Sequence, residues 1–173
     1  MRENLKQYTE VDIHKVNYFD NLDLFETIKQ KAITKDKGAW MTSWYEDSFQ
    51  KIANYIMDYI NSLDFIGKTP IDVGFQLEHM NLWGQIYNEN DYQDSHDHVP
   101  YNLSWIYFVN TPNGSSPVVF EDSDLKVIPR EGKVLVFPSW VRHYVPPNKC
   151  KGRAIIAGNI SYKPTKVFGD VYE

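Results

Sequence analysis

One cysteine, Cys150, is the whole thiol content of 173 residues. An intramolecular disulfide and any cysteine-based zinc cluster are therefore excluded, and Cys150, in the polar stretch NKCKG, reads as an incidental exposed thiol. Long hydrophobic runs are also missing. No stretch approaches the roughly 20 apolar residues of a membrane-spanning helix, and MRENLKQYTEVDIH has no apolar signal-peptide core. The expectation is a cytoplasmic protein with no membrane partner. Basic charge is scarce too: 18 Lys and Arg against 23 Asp and Glu give a net charge of −5, which argues against nucleic acid as a partner.

What the chain does have is aromatic weight. Aromatics make up 15% of it, with 12 Tyr and 5 Trp, a composition that suits a β-rich core. The length suits one domain over residues 1–173, with a helical part (1–70), a β core (71–163) and a C-terminal tail (164–173). Helical spacing of Leu22, Phe25, Ile28 and Ala32 predicts a helix from Asp20 to about Thr34. Phe49, Ile52, Ala53, Ile56, Ile60 and Leu63 form a clearer stripe that stops near Gly67 and Pro70. Between them GAWMTSWYED reads as an aromatic-rich loop.

After Pro70 eight short β-like runs follow: IDVGFQL, NLWGQIY, SWIYFV, PVVFED, LKVI, KVLVFP, HYV and RAIIAGNIS. Turn-rich pieces such as YNENDYQD and NTPNGSS separate them. Eight strands with frequent turns predict a mainly β fold, a double-stranded β-helix of jelly-roll or cupin type, with the two N-terminal helices packed on one sheet.

Only five histidines are present, and two of them, His96 and His98, stand one residue apart in QDSHDHVPYNLS. Strand alternation would point both the same way, a natural pair of metal ligands. His143, in FPSWVRHYVPP, is the candidate third. Three neutral imidazoles suit Fe(II), Zn, Cu or Ni and leave coordination positions open. Ten residues later RAIIAGN places Arg153, Ile155, Ala157 and Asn159 on one face, and Ala154, Ile156 and Gly158 on the other. The small, apolar second face suits packing, which sends Arg153 inward. A buried guanidinium needs an anion, and its planar fork matches a carboxylate. A small molecule bearing a carboxylate, bound between metal and Arg153, follows.

The ordered set HDH, PREGKVLVFPSWVRHYVPPN and RAIIAGN resembles the 2-oxoglutarate/Fe(II)-dependent oxygenases, over roughly residues 76–161. Within them it is similar to a small, prolyl-hydroxylase-like branch found in phages and marine bacteria. The resemblance implies that His96 and His143 are iron ligands and that Arg153 holds the distal carboxylate of 2-oxoglutarate. The usual second ligand is an Asp two residues after the first His. Here that position is His98, and Asp97 is displaced by one. Alternation favours His98, whereas a local bulge would favour Asp97. Tyr87, Ser104, Tyr107 and Asn159 are expected beside the cosubstrate, and Asn81, Trp83 and Trp140 on the substrate side. Fe(II), 2-oxoglutarate and O2 are the implied cofactors, and hydroxylation of a small molecule or a protein residue the implied reaction. Two other readings stand beside it: a three-His cupin-like dioxygenase that uses no keto acid, and a non-catalytic jelly-roll binding module. Substrate choice is expected in residues 35–48 and 88–95, and the oligomeric state is left open.

Overall fold

The computed structural model describes residues 9–12, 20–36, 38–62 and 74–164. His14, Leu63, the helix stop at Gly67 and Pro70, the IDV of the first β-like run and the C-terminal VFGDVYE lie outside the described residues. The first helix, α1 (Asn21–Lys31), starts where expected because the Asp20 side chain accepts from the Leu22 and Asp23 amides. It ends three residues earlier than the spacing predicts, and Leu22 is exposed. The second, α2 (Gln50–Ser62), follows a 3-10 turn (Asp47–Phe49) and buries Ile52, Ala53, Ile56 and Ile60 along one stripe. No helix among the described residues is long and apolar enough to cross a membrane.

Eleven strands complete the described residues. The N-terminal ones are β1 (Thr9–Asp12), β2 (Thr34–Asp36) and β3 (Ala39–Met41). The next four are β4 (Phe75–Tyr87), β5 (Gln93–His96), β6 (Leu103–Asn110) and β7 (Val118–Phe120). Then come β8 (Leu125–Val127), β9 (Lys133–Pro138), β10 (His143–Val145) and β11 (Arg153–Pro164). A large sheet runs β1-β9-β6-β11-β4-β3-β2 and a small one β5-β10-β7-β8, with antiparallel pairing throughout the named strands. Strands β4 to β11 form the two four-stranded faces of a double-stranded β-helix, the expected jelly roll.

The expected count of eight core strands is met by a different set. The first two β-like runs are one strand, β4, bent by a register shift opposite Asn159 and Ile160. Gln93 and Asp94, expected in the turn-rich YNENDYQD, instead open β5, which ends at His96. The expected loop 38–47 contains β3, whose Ala-Trp-Met alternates buried, exposed, buried. Pairing partners, rather than composition, make strands of these segments.

Two apolar layers result. One lies between the helices and the outer face of the large sheet, around Ile28, Phe49, Ile56, Trp105 and Ile156. The other fills the space between the sheets, around Phe108, Phe120, Phe137 and Ile155. Gly84 marks a close approach of helices and sheet in the outer layer, since a Cβ there would stand 2.9 Å from Ile28 Cγ1 and 3.0 Å from Phe49 Cε2. Both neighbours are fully buried and have no room to yield. Gly84→Ala is therefore expected to cost about 1–3 kcal/mol, read as a lower midpoint in urea denaturation at unchanged slope.

Candidate metal and carboxylate site

His96 closes β5 and His143 opens β10, and the two are cross-strand partners. Their ring centroids lie 4.4 Å apart. His98 stands beyond the end of β5, so strand alternation does not position it. Instead its amide donates to the Ser139 carbonyl at 2.8 Å, which fixes the turn after β5 against the turn after β9. Its ring then lies 4.9 Å from that of His96 and 5.2 Å from that of His143. One nitrogen from each ring falls within 4.8 Å of the others. Asp97 turns away, its Oδ1 accepting from the Val99 amide and its Oδ2 facing Arg142.

Backbone carbonyls orient two of the rings. His96 Nδ1 lies 2.7 Å from the Asp94 carbonyl and His143 Nδ1 lies 3.0 Å from the Val141 carbonyl. A carbonyl only accepts, so each Nδ1 carries the proton and the Nε2 lone pair is the ligand atom. Burial, with a smaller contribution from neighbouring His96, pushes the His143 pKa down to about 3, so it stays unprotonated at neutral pH. Phe137 backs that ring edge-on at 4.7 Å. His79, by contrast, is structural: it packs against Trp105, and burial lowers its pKa to about 4.

Arg142 ties the three together from the surface. Its Nε donates to Glu121 Oε2 at 3.0 Å, and one terminal nitrogen donates to the Ser95 carbonyl and hydroxyl at 3.0 and 3.1 Å. The other reaches Asp97 at 3.4 Å. Ser95 precedes His96, Asp97 separates His96 from His98, and Arg142 precedes His143. One side chain thus binds neighbours of His96 and His98 and is itself the residue before His143.

Arg153 is fully buried. Its Nε donates to the Ser116 carbonyl at 3.2 Å and its guanidinium lies over the Tyr87 ring at 4.4 Å. Both terminal nitrogens are out of solvent and have no hydrogen-bond partner. Glu121 is exposed and engaged by Arg142 rather than by Arg153. Burial lowers the Arg153 pKa, yet a guanidinium keeps its proton at neutral pH. The result is a buried cation with two orphaned donors lining the same cavity, of about 280 Å3, as the three histidines.

The expected parity of β11 holds: Arg153, Ile155, Ala157 and Asn159 line the cavity, while Ala154 and Ile156 pack toward the helices. Asn159 is the centre of a buried polar chain. Its Oδ1 accepts from Ser104 Oγ and its Nδ2 donates to Asn81 Oδ1, each at 2.7 Å, and Asn81 Nδ2 continues to Tyr101 at 3.3 Å. Tyr87 donates to Gln85 Oε1 at 2.9 Å, and Gln85 Nε2 donates to Gln93 at 3.1 Å. Trp83 also lines the cavity, 5.8 Å from the His98 ring.

Two expected residues lie elsewhere. Tyr107 shares neither strand face nor cavity with Ser104: three residues apart on β6 they point oppositely, and Tyr107 enters the helix-side layer and donates to Asn21. Trp140 sits in the turn after β9, is 61% exposed, and does not line the cavity. Sequence reasoning also missed Gln85, Gln93, Tyr101, Trp44 and Asp36, which do line it. Gln85 was readable, since it alternates with Trp83 and Tyr87 on one strand.

No family model and no curated protein matches the chain. Solved structures do. A viral collagen prolyl hydroxylase from Paramecium Bursaria Chlorella virus-1, in complex with 2-oxoglutarate, superimposes with a TM-score of 0.64 at 16% identity, covering 90% of this chain and 96% of that one. A 2OG-Fe(II) oxygenase family oxidoreductase from Burkholderia pseudomallei gives 0.65 at 11% identity, with 90% and 85% covered. SnoN, a non-heme alpha-ketoglutarate-dependent epimerase from nogalamycin biosynthesis, gives 0.67 at 11% identity, with 96% and 87% covered. The chain has the fold of the 2-oxoglutarate/Fe(II)-dependent oxygenases, as the resemblance in its motifs implies. An H-x-H…H cluster, His96, His98 and His143, sits in its cavity.

Proposed function

We propose that the protein is a 2-oxoglutarate- and Fe(II)-dependent oxygenase of the hydroxylase type, acting on a small molecule or a peptide. The single observation that carries this is Arg153: a buried guanidinium with both terminal nitrogens unpartnered, lining the same cavity as three converging imidazoles. That donor set fits a dicarboxylate reaching from a metal to the cavity floor.

His96, His98 and His143 would hold Fe(II), and Arg153 the distal carboxylate of 2-oxoglutarate. Bound Fe(II), with 2-oxoglutarate and O2, supplies oxidative decarboxylation of the keto acid to succinate and CO2, coupled to oxidation of the substrate. The chain's own contribution is orientation. Tyr87 beneath the guanidinium fixes its plane, and the Gln85 amide, itself anchored on Gln93, holds the Tyr87 hydroxyl. Ser104 and Asn81 fix the Asn159 amide at the cavity wall. Trp83, Phe137 and Ile155 keep the centre dry, which protects a reactive oxidant from water. A prolyl hydroxylase from Trichoplax adhaerens, solved in complex with a hypoxia inducible factor peptide, has this fold at a TM-score of 0.59, which supports a peptide among the substrate classes.

A ligand set of three imidazoles with no carboxylate also favours a second reading, a cupin-like dioxygenase in which Arg153 holds the substrate's own carboxylate. Anaerobic titration of apoprotein with Fe(II) and 2-oxoglutarate separates the two. A visible charge-transfer band that needs both additions supports the oxygenase. Iron binding without a band, and turnover indifferent to 2-oxoglutarate, supports the second reading. Absence of metal binding leaves a non-catalytic jelly roll.

A further inference from the structure

Besides the histidines, three residues of charged type border the cavity: Arg153, Asp97, whose carboxylate is turned away to Val99 and Arg142, and Asp36. Arg153 lies fully buried and is committed to a carboxylate by the reading above. Asp97 is paired with Arg142. Asp36 has no ion pair among the described residues. Its place is set by register. Asp36 pairs with Ala39 across the β2–β3 hairpin, and Thr34 with Met41, and both Ala39 and Met41 pack in the layer between the sheets. The intervening Lys35 pairs with Trp40 and forms its salt bridge to Asp91. Cross-strand partners share a face, so the hairpin turns its carboxylate inward and its ammonium elsewhere.

Asp36 shares this cavity with an aromatic wall. Trp44 and Trp83 meet at a ring-centroid distance of 4.7 Å and an interplanar angle of 56°, forming a corner rather than a stack. Trp44 is 43% exposed, whereas Trp83 is buried and reaches to within 5.8 Å of the His98 ring. The corner therefore runs from the cavity mouth to the metal cluster. Two indoles sharing a cavity with a carboxylate that has no ion pair among the described residues are the chemistry that recognises an ammonium group, through the ring quadrupoles and the opposite charge together.

We propose that this corner is a substrate subsite for an ammonium group, primary or quaternary, which Trp44, Trp83 and Asp36 hold so that neighbouring carbon atoms face the His96–His98–His143 cluster. Trp44, Trp83 and Asp36 thereby set substrate choice. The orientation toward the cluster rests on the oxygenase reading, whereas ammonium binding itself does not.

The test is titration of the full chain with tetramethylammonium, butylammonium and Nα-acetyl-lysine amide, following tryptophan fluorescence. tert-Butanol and butanol serve as neutral isosteres. Saturable quenching by the cations and none by the alcohols is expected, weakened about tenfold in Asp36→Asn and in Trp44→Ala and retained in Asp36→Glu. Preference for tetramethylammonium and butylammonium over the lysine amide assigns a free amine as the source, and the reverse assigns a peptide side chain. Equal quenching by alcohols and cations, or an Asp36→Asn protein of unchanged affinity and unchanged thermal midpoint, overturns the proposal. The cofactor band is scored separately in wild-type protein. Cation binding with no band supports the subsite while overturning the oxygenase reading. A band with no cation binding overturns the subsite alone.

Discussion

Replacing Arg153 with methionine is expected to move two measurements in opposite directions. Affinity for 2-oxoglutarate, read from the Fe(II)-dependent band, should fall by roughly 100-fold or more, because a desolvated charge-assisted contact is worth about 2–5 kcal/mol when one partner is removed. Arg153→Lys should not restore it, since a lysine cannot offer the planar fork. The thermal midpoint of the ligand-free protein should rise. In that state the guanidinium is fully buried with two donors unmet, and removing an uncompensated charge relieves a desolvation penalty. A midpoint that falls in Arg153→Met would mean that the guanidinium stabilises the empty fold, and that it is a structural rather than a ligand-binding group.

The second large effect separates His98 from Asp97. His98→Ala should weaken Fe(II) binding on the order of 100-fold or more, as loss of one ligand removes a substantial share of the binding energy of a protein metal site. Asp97→Asn should change Fe(II) affinity far less. It loosens one contact with Arg142 at 3.4 Å between half-exposed groups, and such pairs contribute about 0–1 kcal/mol. His98→Asp should keep the metal and shift the band, because a charged oxygen donor replaces a neutral nitrogen. Equal losses in the alanine and asparagine variants, measured by anaerobic iron titration, would place Asp97 in the ligand set.

The sequence carried the periodic parts of this architecture and missed the parts decided by pairing. The stripe Ile52, Ala53, Ile56, Ile60 and the alternation in RAIIAGN both repeat a pattern over several turns or residues, and both read true. The polar β5 has no such pattern. It is a strand because β10 pairs with it, a contact from a segment some 50 residues away. Alternation points to His98 as if the strand continued, but β5 ends at His96 and a hydrogen bond to Ser139 holds the His98 backbone instead. Tyr107 was misplaced by joining it to Ser104 across an odd number of residues. Asp36 lies in TKDK, between the helical stripe and GAWMTSWYED, where no repeating pattern assigns a face. Residues 35–48 were nonetheless expected to shape the substrate side, and Asp36 and Trp44 line the cavity.

Arg142 has one further consequence. Its bonds to Ser95, Asp97 and Glu121, with the carbonyls of Asp94 and Val141 on two of the rings, hold the histidines by protein contacts alone. Small zinc domains gain their shape only when the ion arrives. If Fe(II) binds these rings, the same contacts would orient them for it, and its affinity would respond to the salt that screens a surface cation.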